Sequence, residues 1–242
     1  VGVGIDSRAT MDIDTTLRNY PLNCESAEQI VRQIADVEID DKISFVIKKT
    51  EEIMEDSEYQ GVRLSLDAYL DKTRIPLKID ISTGDVLTPC EISFSYQLMF
   101  ENRTIPLLAY PPETVLAEKL ETILSRGEAN TRLRDFYDVY ILQREDFVVT
   151  PDALRYALLA TCRKRGHEDL LHTYASILDR VRQSDTMRTQ WMKYQSDFDY
   201  AAGITWDTVL DTVETLCMKT LDDHAFGDEL PQEESQFEMY LL

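Results

Sequence analysis

The chain has 242 residues, 43% hydrophobic and 29% charged, which is enough core for one large domain or two small ones and ordinary for a globular protein. No apolar run approaches the roughly 20 residues of a membrane helix and no signal-peptide pattern is present, so a cytoplasmic protein without membrane contact is expected. The formal net charge of −20 excludes a nucleic-acid binder unless positive charge is locally concentrated.

In chain order, the first half reads as β-rich. Met11 to Leu17 alternates apolar residues and threonine with aspartate, which predicts a strand. Ser26 predicts a helix start with Gln29 as its capping-box partner, followed by an apolar stripe of Ile30, Val31, Ile34 and Val37. Ile43 to Lys49, Gly61 to Leu70 and Ile75 to Ser82 read as three strands, with turns at Gly61 and Asp71-Lys72-Thr73. Ile92 to Phe94 and Ile105 to Ala109 are further short extended pieces.

The pattern changes at Pro111-Pro112. Helical periodicity covers 113–126, 132–143, 151–165, 169–183, 186–199 and 205–222. Thr150-Pro151 reads as a cap with proline at the first helical position, and Thr205 as a cap for the last helix. Asp228 to Glu238 reads as a disordered acidic tail. The fold class implied is α+β: a mixed β-sheet core with a flanking helix, followed by a C-terminal helical domain.

The four cysteines, Cys24, Cys90, Cys162 and Cys217, have no zinc or redox spacing and read as reduced thiols. His167, His172 and His224 follow no ligand spacing either. Carboxylates offer more. Asp12 and Asp14, two apart on a strand, point to one face about 6–7 Å apart, where they can share a hard cation such as Mg²⁺. Asp80 sits within a strong strand whose polar face carries Lys78, Asp80 and Ser82. Aspartate is disfavoured there, and such a local violation often marks function. Three carboxylates on neighbouring strands can hold two metal ions about 4 Å apart for in-line phosphoryl transfer. A polar edge strand is the plain alternative.

Lys119 can reach phosphate oxygens as a point charge, or simply be salt-bridged on its helix. Asp135 and Asp138, three apart, share a helix face with Arg134 nearby, and an ordinary ion-paired helix would look the same. Arg126, Arg132 and Arg134 are candidates for phosphate or RNA contacts. Arg163-Lys164-Arg165 sits at a helix C-terminus, where cations are favoured by the dipole, and reads as structural.

Taken together, these segments resemble the motifs of the AbiE-type (AbiEii/AbiGii) nucleotidyltransferase toxins, within the polymerase-β-like nucleotidyltransferase superfamily. Ser7 to Thr16 resembles the first motif and Leu77 to Ile81 the second. Tyr110 to Thr114 with Ala117 to Leu120 resembles the third, and Arg134 to Asp138 the fourth. The family places a Gly-Gly or Gly-Ser pair before the first motif. Val1-Gly2-Val3-Gly4 lies there without matching, so the expectation is that the chain starts inside the domain.

The resemblance implies transfer of a nucleoside monophosphate from an NTP, with Mg²⁺ held by Asp12, Asp14 and Asp80 in a two-metal arrangement. Asp80 would orient or deprotonate the acceptor hydroxyl, Lys119 would bind the triphosphate and Asp135 would complete the catalytic set. Nucleotide contacts are expected from Arg8, Thr10, Lys78, Lys119 and Arg134. Implied partners are an NTP, an RNA acceptor, above all tRNA, and a DNA-binding antitoxin, with roles in abortive phage defence or plasmid maintenance. Residues 1–110 would form the nucleotidyltransferase core, 111–225 a helical domain contributing to the active site, and 226–242 the acidic tail. The alternatives are a small-molecule or protein hydroxyl as acceptor, or a non-catalytic binding protein of the same fold.

Overall fold

The computed structural model describes residues 12–39, 41–54, 60–98, 101–144 and 149–222, with the backbone alone at 12, 54 and 60. These belong to two compact units, one within Ala9–Asp85 and the other within Val86–Leu242.

The first unit is a four-stranded sheet with one helix. Its strands are β1 (Asp12–Leu17), β2 (Ile43–Met54), β3 (Gln60–Leu70) and β4 (Thr73–Thr83), in the spatial order β1-β4-β3-β2. β1 runs parallel to β4, while β4 with β3 and β3 with β2 are antiparallel, so the sheet is mixed as expected. Side chains alternate between faces along each strand. Val62, Leu64 and Leu66 of β3 are buried with Ile81 of β4 and with Ala27 and Val31 of helix α1 (Cys24–Ala35). The intervening residues Arg63, Ser65 and Asp67 therefore lie on the other face, beside Lys78, Asp80 and Ser82 of β4. A two-residue turn at Asp71-Lys72 joins β3 to β4. Asp71 takes φ +52°, a left-handed conformation that aspartate tolerates.

Three local expectations for this unit are corrected. Asn23, not Ser26, caps α1: Ser26 N–H donates to Asn23 Oδ1 at 2.9 Å, and Asn23 N–H donates back to Ser26 Oγ at 2.9 Å. Ser26 is thus the third helical residue and takes the place assigned to Gln29. The apolar stripe is also shorter than its periodicity suggests. Ala27 and Val31 are buried, whereas Ile34 and Val37 are 67% and 60% exposed. Gly61 is no turn residue; it lies inside β3 opposite Ile53, where a Cβ would approach the Ile53 side chain to 2.9 Å.

The second unit begins with the hairpin β5 (Ile92–Gln97) and β6 (Thr104–Ala109) and continues as helices. These are α2 (Pro112–Arg126), α3 (Leu133–Leu142), α4 (Pro151–Lys164), α5 (Leu170–Gln183), α6 (Asp185–Asp197) and α7 (Trp206–Leu221). All lie within a few residues of the expected spans. Thr150 accepts from Ala153 N–H ahead of Pro151, and Thr205 from Thr208 N–H at 3.1 Å. Ser184 caps α6 in the same way. The strand-to-helix change at Pro111-Pro112 is the start of α2, while the boundary between the compact units falls earlier, between Asp85 and Val86.

The helical core is continuous. Leu116, Leu120 and Leu124 of α2 pack with Phe136 and Val139 of α3, Leu154 and Leu158 of α4, Leu178 and Val181 of α5 and Val209, Leu210 and Val213 of α7. Phe136 and Trp206 meet with ring centroids 5.1 Å apart, Trp191 and Trp206 at 5.9 Å, and Tyr137 and Tyr200 at 4.9 Å. The four cysteines are free thiols, with Cys162 and Cys217 in this core. Among the described residues no helix is long and apolar enough to cross a membrane. The acidic tail, His224, Arg8, Thr10 and the Val1–Gly4 segment lie outside the described residues.

Candidate active site

The polar face of the sheet carries one row of functional groups. β1 and β4 are parallel neighbours, and their register pairs Asp14 with Asp80, Thr16 with Ser82 and the Asp12 backbone with Lys78. Asp14 and Asp80 therefore stand side by side on one face, about one strand spacing of 4.8 Å apart at the backbone. Asp14 is exposed, and the Asp80 side chain is 17% exposed. Beyond Asp80, on β3, its register partner is Arg63. Arg63 donates from Nε to Asp80 Oδ1 at 2.7 Å and from Nη2 to Asp80 Oδ2 at 2.6 Å.

Next along the same face, the Thr16 and Ser82 hydroxyl oxygens lie 2.6 Å apart and both are within reach of Asp85 Oδ2, so their two protons are shared among three contacts. Ser82 Oγ also lies 3.2 Å from the Thr15 carbonyl, tying β4 to β1 at the level of the carboxylates. At the other end Asp67 is buried, with Lys48 Nζ at 3.9 Å, Arg74 Nη1 at 3.7 Å and the Tyr69 hydroxyl at 3.4 Å. These are long contacts, so Asp67 is countered by charge more than held by hydrogen bonds.

Two carboxylates in register on adjacent strands form the hard-oxygen donor set that Mg²⁺ takes, with its remaining positions left to water or substrate phosphate. Each Asp80 oxygen keeps accepting capacity after the Arg63 fork, because a carboxylate has about four lone-pair sites. On donor chemistry, Asp14 and Asp80 thus fit a divalent cation. Among the described residues no group of three or more His, Cys, Asp or Glu side chains has metal-binding geometry; the Asp12 side chain lies outside that set.

The helical unit holds a second charged cluster. Lys119 of α2 is 19% exposed and reaches across to α3, with Nζ 3.3 Å from Asp135 Oδ1 and 2.7 Å from Asp138 Oδ2. Asp135 and Asp138 share one helix face, as their spacing predicts, and both are buried. Leu133 and Phe136 on the opposite side of α3 enter the core and fix its rotation. Arg132 Nε lies 3.1 Å from Asp135 Oδ2, yet its N–H is not aimed at that oxygen, so the ion pair carries no hydrogen bond. Lys119 is salt-bridged between helices, not along its own.

A third ionic centre is structural. The buried Glu121 of α2 binds the Arg165 guanidinium and lies 2.6 Å from His167 Nδ1. Arg163 Nε donates to Glu168 at 2.9 Å. Two members of the basic triplet are thus spent on ion pairs at the end of α4, as its helix-terminal position suggests.

Of the expected site residues, the structure brings Asp14 together with Asp80, and Lys119 with Asp135. Lys78 and Arg134 are exposed. Sequence reasoning missed Arg63, Asp85 and Asp67, and did not single out Glu121. For Arg63 and Asp67 a signal exists. Val62-Arg63-Leu64-Ser65-Leu66-Asp67 alternates perfectly, so both fall on the face opposite the core, and Arg63 comes beside Asp80 once the hairpin to β4 is drawn. Glu121 gives none, since nothing local marks a helical glutamate as buried.

Comparison with known proteins gives the family. A model described as nucleotidyl transferase AbiEii toxin, type IV toxin–antitoxin system, matches residues 1–212. The chain belongs to this family, and membership in a toxin–antitoxin system implies an antitoxin partner. Two solved structures, both from Helicobacter pylori, are similar to it. One, described as a candidate nucleotidyltransferase, is 14% identical, covers 93% of this chain and 85% of its own, and superposes with a TM-score of 0.42. The other, JHP933, is 15% identical over 90% of this chain and 79% of its own, with a TM-score of 0.41. No curated relative matches.

Proposed function

We propose that this chain transfers a nucleoside monophosphate from an NTP to a hydroxyl of tRNA, as the toxin of a cytoplasmic toxin–antitoxin pair with a DNA-binding antitoxin. The observation that carries this reading is the register of Asp14 beside Asp80 on the polar face of a mixed sheet, in a chain of this family. In the reaction the acceptor oxygen attacks the α-phosphorus. The bond from that phosphorus to the bridging oxygen breaks, and pyrophosphate leaves with the electron pair.

Asp12, Asp14 and Asp80 would hold Mg²⁺, in one- or two-ion form. The bound ion supplies charge neutralisation on the phosphates and lowers the cost of deprotonating the hydroxyl. Asp80, beside Asp14, orients the acceptor hydroxyl and accepts its proton. Lys119 would bind the triphosphate as a point charge, and Asp135 would complete the catalytic set. Lys78 extends from the strand position next to the carboxylates, and with Arg8, Thr10 and Arg134 it contacts the nucleotide. The net charge of −20 favours a second reading in which the acceptor is a small molecule or a protein hydroxyl.

The test is incubation of the full-length protein with each labelled NTP, Mg²⁺ and total RNA, beside Asp14→Ala. Label entering tRNA only with the native protein is the expected result, and label in another acceptor selects the second reading. No transfer and no NTP binding by the native protein would sink both. Expression with and without the antitoxin reads toxicity separately.

A further inference from the structure

Asp80 is held by more than its strand. Two carboxylates in register on neighbouring strands repel one another, and like charges directly opposite destabilise a sheet. Here the third strand supplies the opposite charge at the same level, since Arg63 faces Asp80 across the β3–β4 ladder. The contact is a fork: two hydrogen bonds of 2.7 and 2.6 Å, one to each carboxylate oxygen. A fork fixes the plane of a carboxylate as well as its position, which a lysine ammonium does not. It takes one lone pair from each oxygen and leaves the other available.

The guanidinium is itself on a rigid base. Its neighbours Val62 and Leu64 are 2% and 0% exposed, and β3 pairs on both sides, with β2 and with β4. Such pre-organisation of a functional side chain by a packed element is what a site needs to hold its geometry.

We propose that Arg63 is the positioning residue of this site. It sets the plane of the Asp80 carboxylate for the cation and the acceptor hydroxyl, and its charge balances that of Asp80 until a divalent cation binds. This rests on the reading of Asp14 and Asp80 as metal-binding residues. Arg63 then trades cation affinity for orientation: its positive charge opposes the incoming ion, while its fork holds the carboxylate that the chemistry uses.

The experiment compares full-length native protein, Arg63→Lys, Arg63→Met and Asp14→Asn, using Mn²⁺ as the probe. Mn²⁺ binding is measured by calorimetry and by paramagnetic resonance without nucleotide, and transfer is measured separately as kcat and KM. Arg63→Met removes a like charge and should bind Mn²⁺ about tenfold more tightly. Its kcat should fall about 10- to 100-fold with KM for the NTP unchanged. Arg63→Lys keeps the charge and loses the fork, so it should show native Mn²⁺ affinity with a similar fall in kcat. If Arg63→Met fails to fold, Arg63→Lys decides alone. Native kcat in Arg63→Lys, or Mn²⁺ binding by folded Arg63→Met no tighter than native, overturns the proposal. Identical Mn²⁺ isotherms for native protein and Asp14→Asn overturn the metal reading itself, and that failure shows in chains where Arg63 is untouched.

Discussion

The two units treat their charges in opposite ways. The sheet places Asp14, Asp80, Arg63 and Lys78 on a face that the helix leaves uncovered, while the helical unit buries Glu121, Asp135 and Asp138 against Arg165 and Lys119. A charge on an open face is only partly desolvated and can be exchanged for a ligand at small cost. A buried ion pair is bound to its partner, because losing either side strands the other away from water. The lesson is that a carboxylate on the sheet should matter for activity far more than for stability, whereas one in the helical unit should matter for stability whatever its part in the site.

The sharpest way to break this comparison is Asp14→Asn. Transfer should fall about a thousandfold, the several kcal/mol expected for losing a metal-binding carboxylate, while the urea midpoint changes little because the side chain is exposed. A loss of stability similar to that of a core mutation would contradict it. Next comes Lys119→Met, which removes the amine shared by the buried Asp135 and Asp138. It should cost about 3 kcal/mol by urea unfolding, whereas Lys78→Met on the open face should change stability by less than about 0.5 kcal/mol. If the two lysines cost the same, the distinction between the units is wrong.

Smaller effects probe the packing behind each region. Gly61→Ala should destabilise by about 2 kcal/mol, because its Cβ meets Ile53 at 2.9 Å in a packed sheet. Adding Ile53→Val should recover part of that loss, a coupling visible in a double-mutant cycle. In the helical core, burial pushes the thiols of Cys162 and Cys217 up to about 12. An unfolded thiol titrates near 8.5, so the folded state binds these protons more tightly. The stabilisation is complete below that value and is lost as pH rises toward 12. Each thiol should therefore contribute a loss of about 1 kcal/mol between pH 8 and 9.5. Chemical denaturation of Cys217→Ala should show a shallower fall than the native chain over that range.

Legibility in the sequence followed the range of the interactions. The helical spans and the caps at Thr150 and Thr205 were legible because periodicity and capping act within a few residues. The α1 cap is not legible locally because Ser26 and Asn23 carry equivalent signals, and only the backbone at Asn23, extended at φ −152° and ψ 174°, decides between them. Ile34 and Val37 looked like core because a helical stripe says which residues share a face, not how far the sheet beneath extends.

The sequence by itself determined the element types, the α+β class and the family through its ordered motifs. All of these depend on residue type and short spacing. Tertiary structure alone decided that Asp14 faces Asp80 from a parallel neighbour, that Arg63 forks onto Asp80 and that Glu121 lies buried beneath Arg165 and His167. Those pairings join residues 17 to 66 positions apart. They exist because strand register and helix packing bring distant backbone together, and no local pattern encodes register.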